Sequence, residues 1–270
     1  MKLSLFSTLR GYRKEYLPKD IFSGIIIAAV SIPISMGYAQ ISGIPAVYGL
    51  YGSVLPILLF ALFSTSRQFI FGVDAAPAAI VGGALSTLSI AAESEAAMDY
   101  VPAIALFAGL WLFIFFLLHA DKIVDFISTP VMGGFISGIA VTIILMQIPK
   151  LMGSPAGSGE LLELTEHIFA AAKNISWLSL FMGLGTLVLI RTFKKLAPKF
   201  PMAIVIMALG VLSTIVFHVD EKGVVLLQSV ERGLPSLMIP DFGNVDLTQA
   251  AGRGLMVAVV IMAETLLAEN

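Results

Sequence analysis

Runs of about twenty apolar residues, separated by short polar connections, recur along the whole chain. No other feature narrows the possible folds so far. A helix that crosses the hydrocarbon core of a bilayer needs about 20 such residues, and inside lipid the backbone must satisfy its own hydrogen bonds. The chain has 270 residues, of which 58% are hydrophobic and 13% charged. Soluble domains carry about 25% charged residues, and an aqueous fold could not hide so much apolar surface. The sequence therefore predicts an all-α polytopic membrane protein, with the lipid bilayer as its first partner. A net charge of −2 gives no reason to expect nucleic acid, and with no cysteine the chain holds neither disulfides nor thiolate metal sites. His119, His167 and His218 fall near span ends and far apart, so no metal centre is expected. No nucleophile, base and orienting group can be assembled from the sequence, so an enzyme is not expected. The basic, amphipathic start runs straight into a long span and is not a cleaved signal peptide.

The pattern places spans at 20–41, 46–63, 101–118, 129–151, 175–190 and 201–217, with another beginning near 248. A special segment occupies 72–92, and residues 1–19 form an N-terminal segment ahead of a membrane domain over 20–270. One set of connections holds Lys2, Arg10, Arg13, Lys14, Lys19, Arg67, Lys122, Arg191, Lys194, Lys195 and Lys199. The opposite set holds only Lys150, Lys173, Lys222, Arg232 and Arg253, with most of the loop carboxylates. The excess of basic residues puts the N-terminus in the cytoplasm; the chain is expected to be a multi-pass protein of the cell inner (plasma) membrane. Residues 220–246 then lie outside, with 223–228 reading as a short strand.

Three features look costly in a simple anchor. Pro33 lies inside the first span, where proline removes a backbone donor and kinks a helix. The kink either shapes a cavity or is merely tolerated. Phe69-Ile70-Phe71-Gly72-Val73-Asp74-Ala75-Ala76-Pro77 reads as strand, turn and helix start, with Asp74 at a cap position and Pro77 in the first turn. If Arg67 marks the cytoplasmic edge, four extended residues climb roughly 13 Å and the helix starts near mid-membrane. Its free N–H groups and about half a positive charge would favour an anion, as in the broken helices of many transporters. A plain interfacial cap is the competing reading. Glu264 lies in an otherwise apolar run, 256–267, and an ionisable group at such depth is a functional hypothesis by default. The alternative is a glutamate snorkelling to the interface beside Glu269.

The block Tyr16-Leu17-Pro18-Lys19-Asp20, Pro33, Pro45-Ala46-Val47-Tyr48-Gly49-Leu50-Tyr51 with Gly52-Ser53, and Thr65-Ser66-Arg67 resembles the entry signature of the SulP/SLC26 anion transporters. The likeness is closest over residues 16–83. The sequence departs from the family pattern at Phe60, at Ser64 and after Arg67, where a proline is displaced to Pro77. The resemblance implies fourteen membrane segments in two inverted repeats of seven, arranged as a core and a gate. Segments three and ten would be half-helices facing each other, with the anion between them. This chain would supply the first repeat and the start of segment eight, with a broken third helix. Carried over, Tyr38 faces the anion, Asp74, Ala75 and Ala76 form the helix N-terminus nearest the substrate, and Glu264 takes the acidic position that couples transport to H⁺ or Na⁺. Alternating access against a dimeric gate is implied for the full-length form, a homodimer without cofactor beyond the coupling ion.

Asp74 sets a condition. A carboxylate at a helix N-terminus takes up the field an anion needs, and two carboxylates at one cavity oppose a bare anion unless a proton or cation joins them. Cation-coupled symport of sulfate, bicarbonate or a dicarboxylate is thus expected over uncoupled exchange. A second repeat and a STAS domain are not seen in the sequence. The chain is expected to be a fragment, a truncated form or a split-gene product that transports only with a second half. The rival expectations are a non-transporting assembly subunit and a nucleobase:cation symporter of the same fold.

Overall fold

In the apolar runs the backbone has only itself for a partner, and it closes into helices. The structure is a computed structural model and describes residues 11–64, 72–119, 129–155, 157, 161–196, 202–226, 233 and 240–269. Among them nine α-helices follow one another: α1 (Leu17–Ile41), α2 (Ala46–Phe63), α3 (Ala75–Thr87), α4 (Glu95–Leu117), α5 (Thr129–Leu151), α6 (Leu161–Lys173), α7 (Trp177–Leu196), α8 (Met202–Phe217) and α9 (Leu247–Glu269). Among the described residues five stretches are long and apolar enough to cross a membrane, covering α1, α2, α4, α7 and most of α9.

The spans at 46–63 and 129–151 coincide with α2 and α5. The other expected ends shift for local reasons. α1 starts at Leu17 because Pro18 suits a first helical turn. α4 starts at Glu95 because the Ser94 hydroxyl caps it, accepting the Ala97 N–H at 3.2 Å. α7 runs on to Leu196 with Lys194 and Lys195 in its last turn, where cations suit the dipole. The special segment 72–92 resolves into α3 and the turns after it. Thirteen residues of helix rise about 20 Å, short of the roughly 30 Å hydrocarbon core. The third helix is therefore broken, as expected.

Two readings are corrected. Residues 161–173, left as part of the connection between the spans at 129–151 and 175–190, form the amphipathic helix α6, with Leu164 and Ala171 buried. Apolar residues at that spacing dock on a neighbour while the acidic face stays wet. The strand expected at 223–228 is not seen over 223–226, which follow a turn without regular structure. Residues 227 and 228 lie outside the described residues, as do Thr65, Ser66, Arg67 and the extended stretch Phe69-Ile70-Phe71.

The helices fall into two groups. In the first, α1 packs on α2 and α3, and α9 packs on α4 and α3. Glycines set these distances: a Cβ on Gly49 would collide with the Ser35 carbonyl of α1, and one on Gly82 with that of Ile41. Such small residues let membrane helices approach closely. Ala84, Ala103, Ile104, Ala108, Val257 and Ala258 close the α3–α4–α9 seam, and Trp111 Nε1 ties α4 to α9 by donating to the Ala251 carbonyl at 3.1 Å. In the second group, α5 packs on α6 and α7, and α7 on α8. The groups meet where Ile41 and Ala78 touch Met146 and Leu164, and where Ser86 Oγ donates to Glu163 Oε2 at 2.9 Å. Outward residues such as Phe22, Leu58, Phe181 and Ile215 are exposed and suit lipid.

Connections fix which helix ends lie together. Glu93 N–H donates to the Gly43 carbonyl (2.8 Å), and Ser176 N–H to that of Met152 (2.9 Å). Asp246 N–H donates to the Tyr100 hydroxyl at 2.8 Å. The C-terminal ends of α1, α3 and α5 thus share one end of the molecule with the N-terminal ends of α4, α7 and α9.

Candidate substrate site

α3 begins part-way along the neighbouring helices, with Asp74 itself exposed. Val73, just before it, lies level with Gly52, a third of the way along α2, so the helix start is flanked by membrane helices. The start is built by Asp74. Its backbone is extended, and its side chain accepts the Ala76 N–H at 3.4 Å. This is the cap the sequence predicts. Proline at position 77 has no N–H to offer, so the Ala75 amide is the donor left over in the first turn beyond the one Asp74 takes. The Ala76 side chain is buried and serves packing, and Ala75 is half-buried.

Three of the expected site residues are brought together from three helices. Tyr38 of α1 is half-buried within electrostatic reach of Asp74. Glu264 lies about 25 Å along α9 from its start, and its carboxyl lies within electrostatic reach of Asp74. One Glu264 oxygen, Oε2, is buried without a hydrogen-bond partner. A buried, unpartnered carboxylate oxygen costs about 1–3 kcal/mol or more. Two carboxylates side by side also repel. A proton or a cation shared between them relieves both costs. The arrangement is an acidic pair at a helix N-terminus, beside a phenol and the Ala75 amide.

Pro33 lies in the wall of a cavity of about 980 Å³, together with Gly37 and Gln40 of α1. That cavity opens at the α1 C-terminal end. The sequence did not reveal two polar links across it: Ser86 with Glu163, and Lys150 Nζ donating to Gln40 Oε1 at 3.1 Å. The only signal was a lysine directly after the proline that closes an apolar run.

The sulfate permease family model matches residues 17–269 of the sequence. The chain belongs to the sulfate permease family. It is 31% identical over 247 residues to a protein of Arabidopsis thaliana named sulfate transporter 4.1, chloroplastic, covering 87% of this chain and 35% of that one. A probable sulfate transporter of Mycobacterium tuberculosis is 24% identical over 258 residues, with 96% of this chain and 46% of that one covered. The chain thus spans between a third and a half of these relatives' length. Among solved structures, the membrane domain of a cyanobacterial bicarbonate transporter, BicA, superposes with a TM-score of 0.76 at 20% identity, covering 94% of this chain and 68% of that one. SLC26A9 gives the same TM-score at 19% identity, covering 97% of this chain and 45% of that one. The fold is that of the family's membrane domain, and the matched relatives carry the names of transporters rather than enzymes.

Proposed function

We propose that this chain forms half of a secondary transporter for a small oxyanion, sulfate or bicarbonate in the first instance, driven by H⁺ or Na⁺ moving in the same direction. The relatives' names supply the substrate class. The observation that carries the coupling is the Asp74–Glu264 pair at the start of α3, with the buried, unpartnered Glu264 oxygen. An anion near Tyr38 and the Ala75 amide meets a negative pair until a cation or proton joins it. The cation then admits the anion, and the two travel together. Tyr38, Asp74, Ala75 and Ala76 are the substrate-binding residues in this reading, and Glu264 carries the coupling ion.

In this proposal the N-terminus faces the cytoplasm. The end of the molecule carrying Arg13, Lys14 and Lys19 also carries Arg191, Lys194 and Lys195 at the end of α7, which supports that orientation. The helices α1–α4 and α9 move as a core against α5–α8, and the gate pairs as a homodimer in the full-length form. Uptake of labelled sulfate, bicarbonate, fumarate and succinate into proteoliposomes tests this, with the chain alone and with a co-expressed second repeat. Uptake is expected to require an H⁺ or Na⁺ gradient. In Glu264→Gln it should lose that dependence. Full gradient coupling in Glu264→Gln refutes the assignment. Absence of uptake in every combination, with folded protein, favours a non-transporting assembly subunit.

A further inference from the structure

The cavity at the α1 C-terminal end lies on the far side of α3 from Asp74, and nothing above gives it a task. It encloses about 980 Å³ between α1, α3, α5, the start of α7, residues 224–226 and the loops that follow α3 and α5. Most of its polar lining is hydroxyl: Ser86, Ser89, Ser154 and Ser179. One cation enters it among the described residues, Lys150, half-buried at the last turn of α5. Its ammonium has three donors. One goes to Gln40 Oε1 at 3.1 Å, and no carboxylate among the described residues pairs with it. Two carboxylates border the same space: Glu93 in the wall, and Glu163 held by Ser86 at 2.9 Å.

An ammonium withdrawn from water without a counter-charge is costly, yet here the neighbours that could neutralise it pair elsewhere or stand off. A cavity of that size, edged by the Ser89 and Ser154 hydroxyls and by a lysine without an ion-pair partner among the described residues, fits a small hydrated anion. Pro33, Gly37 and Ile41 recur at helical spacing along the α1 wall, so the cavity continues down that face from Lys150 towards the level of Tyr38.

We propose that Lys150 forms a second anion-binding site, an antechamber at the end of the molecule opposite the basic N-terminal end, where a sulfate- or chloride-sized anion replaces part of the Gln40 contact before reaching the α3 site. This rests on the proposed function only for the class of ligand. Its test reads binding rather than uptake, so a chain that binds here without transporting would separate the two.

The chain has no cysteine, so Ser154→Cys places a single thiol in the cavity wall. Its reaction with a sulfonate-bearing methanethiosulfonate and with the trimethylammonium analogue is followed in the full chain. Sulfate or chloride replaces gluconate at constant ionic strength. The ratio of anionic to cationic rates is expected to fall about tenfold in Lys150→Gln, as one unit charge a few ångströms away would cause at a dielectric between those of protein and water. Lys150→Arg should keep the ratio, and Glu93→Gln should raise it. Sulfate or chloride should slow labelling wherever residue 150 is cationic and not in Lys150→Gln. Protection that is absent, or equal in Lys150→Gln and Lys150→Arg, overturns the proposal. So does a thiol that neither reagent reaches, because the cavity is then closed to solution.

Discussion

Gly82 and Gly83 are neighbours in α3, and the structure gives them opposite fates. An added Cβ at Gly82 lands on the Ile41 carbonyl oxygen, about an ångström inside the closest approach real Cβ atoms make, while at Gly83 nothing stands within 4 Å. The obstacle at Gly82 is backbone, so no rotamer change relieves it. α1 and α3 must move apart, and overpacking of this kind costs about 1–3 kcal/mol. Replacing glycine by alanine inside a helix also gains about 1 kcal/mol of propensity. That gain is common to both positions and cancels in the comparison, leaving the clash. Each kcal/mol shifts a thermal midpoint by about 2–4 °C in a chain of this size, so Gly82→Ala should melt several degrees below Gly83→Ala. Gly83→Ala should match or slightly exceed the parent. Unfolding of a polytopic protein is in general irreversible, so the midpoints are compared at one heating rate in one detergent, by the loss of monodisperse protein. Equal midpoints would refute the α1–α3 contact, and with it the placement of the Asp74 cap beside Tyr38.

Further outcomes follow from other contacts. Gly254→Ala should destabilise more than Gly252→Ala in the same assay, because Gly254 faces Phe107 and the Ile104 carbonyl across the α4–α9 seam while Gly252 faces open space. Trp111→Phe should lower the midpoint by the loss of one hydrogen bond to Ala251, about 1 kcal/mol. Leu164 is fully buried in the seam between the two helix groups, so Leu164→Ala should cost about 2–5 kcal/mol; an unchanged midpoint would mean that α6 does not dock as a helix. Asp74→Asn should keep the α3 cap while Asp74→Ala loses about 1 kcal/mol; cation dependence of uptake should change in both, which separates the charge from the cap.

The sequence carried most of the secondary structure because membrane helices declare themselves locally. Twenty apolar residues and a cap such as Ser94 are readable without any knowledge of what lies opposite. The α3 start was readable for the same reason, since Gly72, Asp74 and Pro77 act within one turn. The helix α6 was missed because the stretch between the spans at 129–151 and 175–190 was counted only as a connection, although Leu164 and Ala171 recur on one face and are buried. The Thr65-Ser66-Arg67 block carried much of the family resemblance, yet it lies outside the described residues.

The meeting of Asp74 with Glu264, and of Lys150 with Gln40, depends on helices far apart in sequence crossing at particular heights, which apolar periodicity does not encode. Their arrangement has a common logic. At one end of α3 two carboxylates lie together, and at its other end a lysine stands without a carboxylate partner among the described residues. Charges cost most where water is scarce, so a chain that leaves both imbalances uncorrected can lower its energy by taking in mobile ions of the missing sign: a cation at the start of α3 and an anion at the opposite end. A carrier that moves the two together needs sites of both signs. The short helix α3, with an acidic cap at its start and its C-terminal half in the wall of the lysine cavity, would join the two proposed sites in one element.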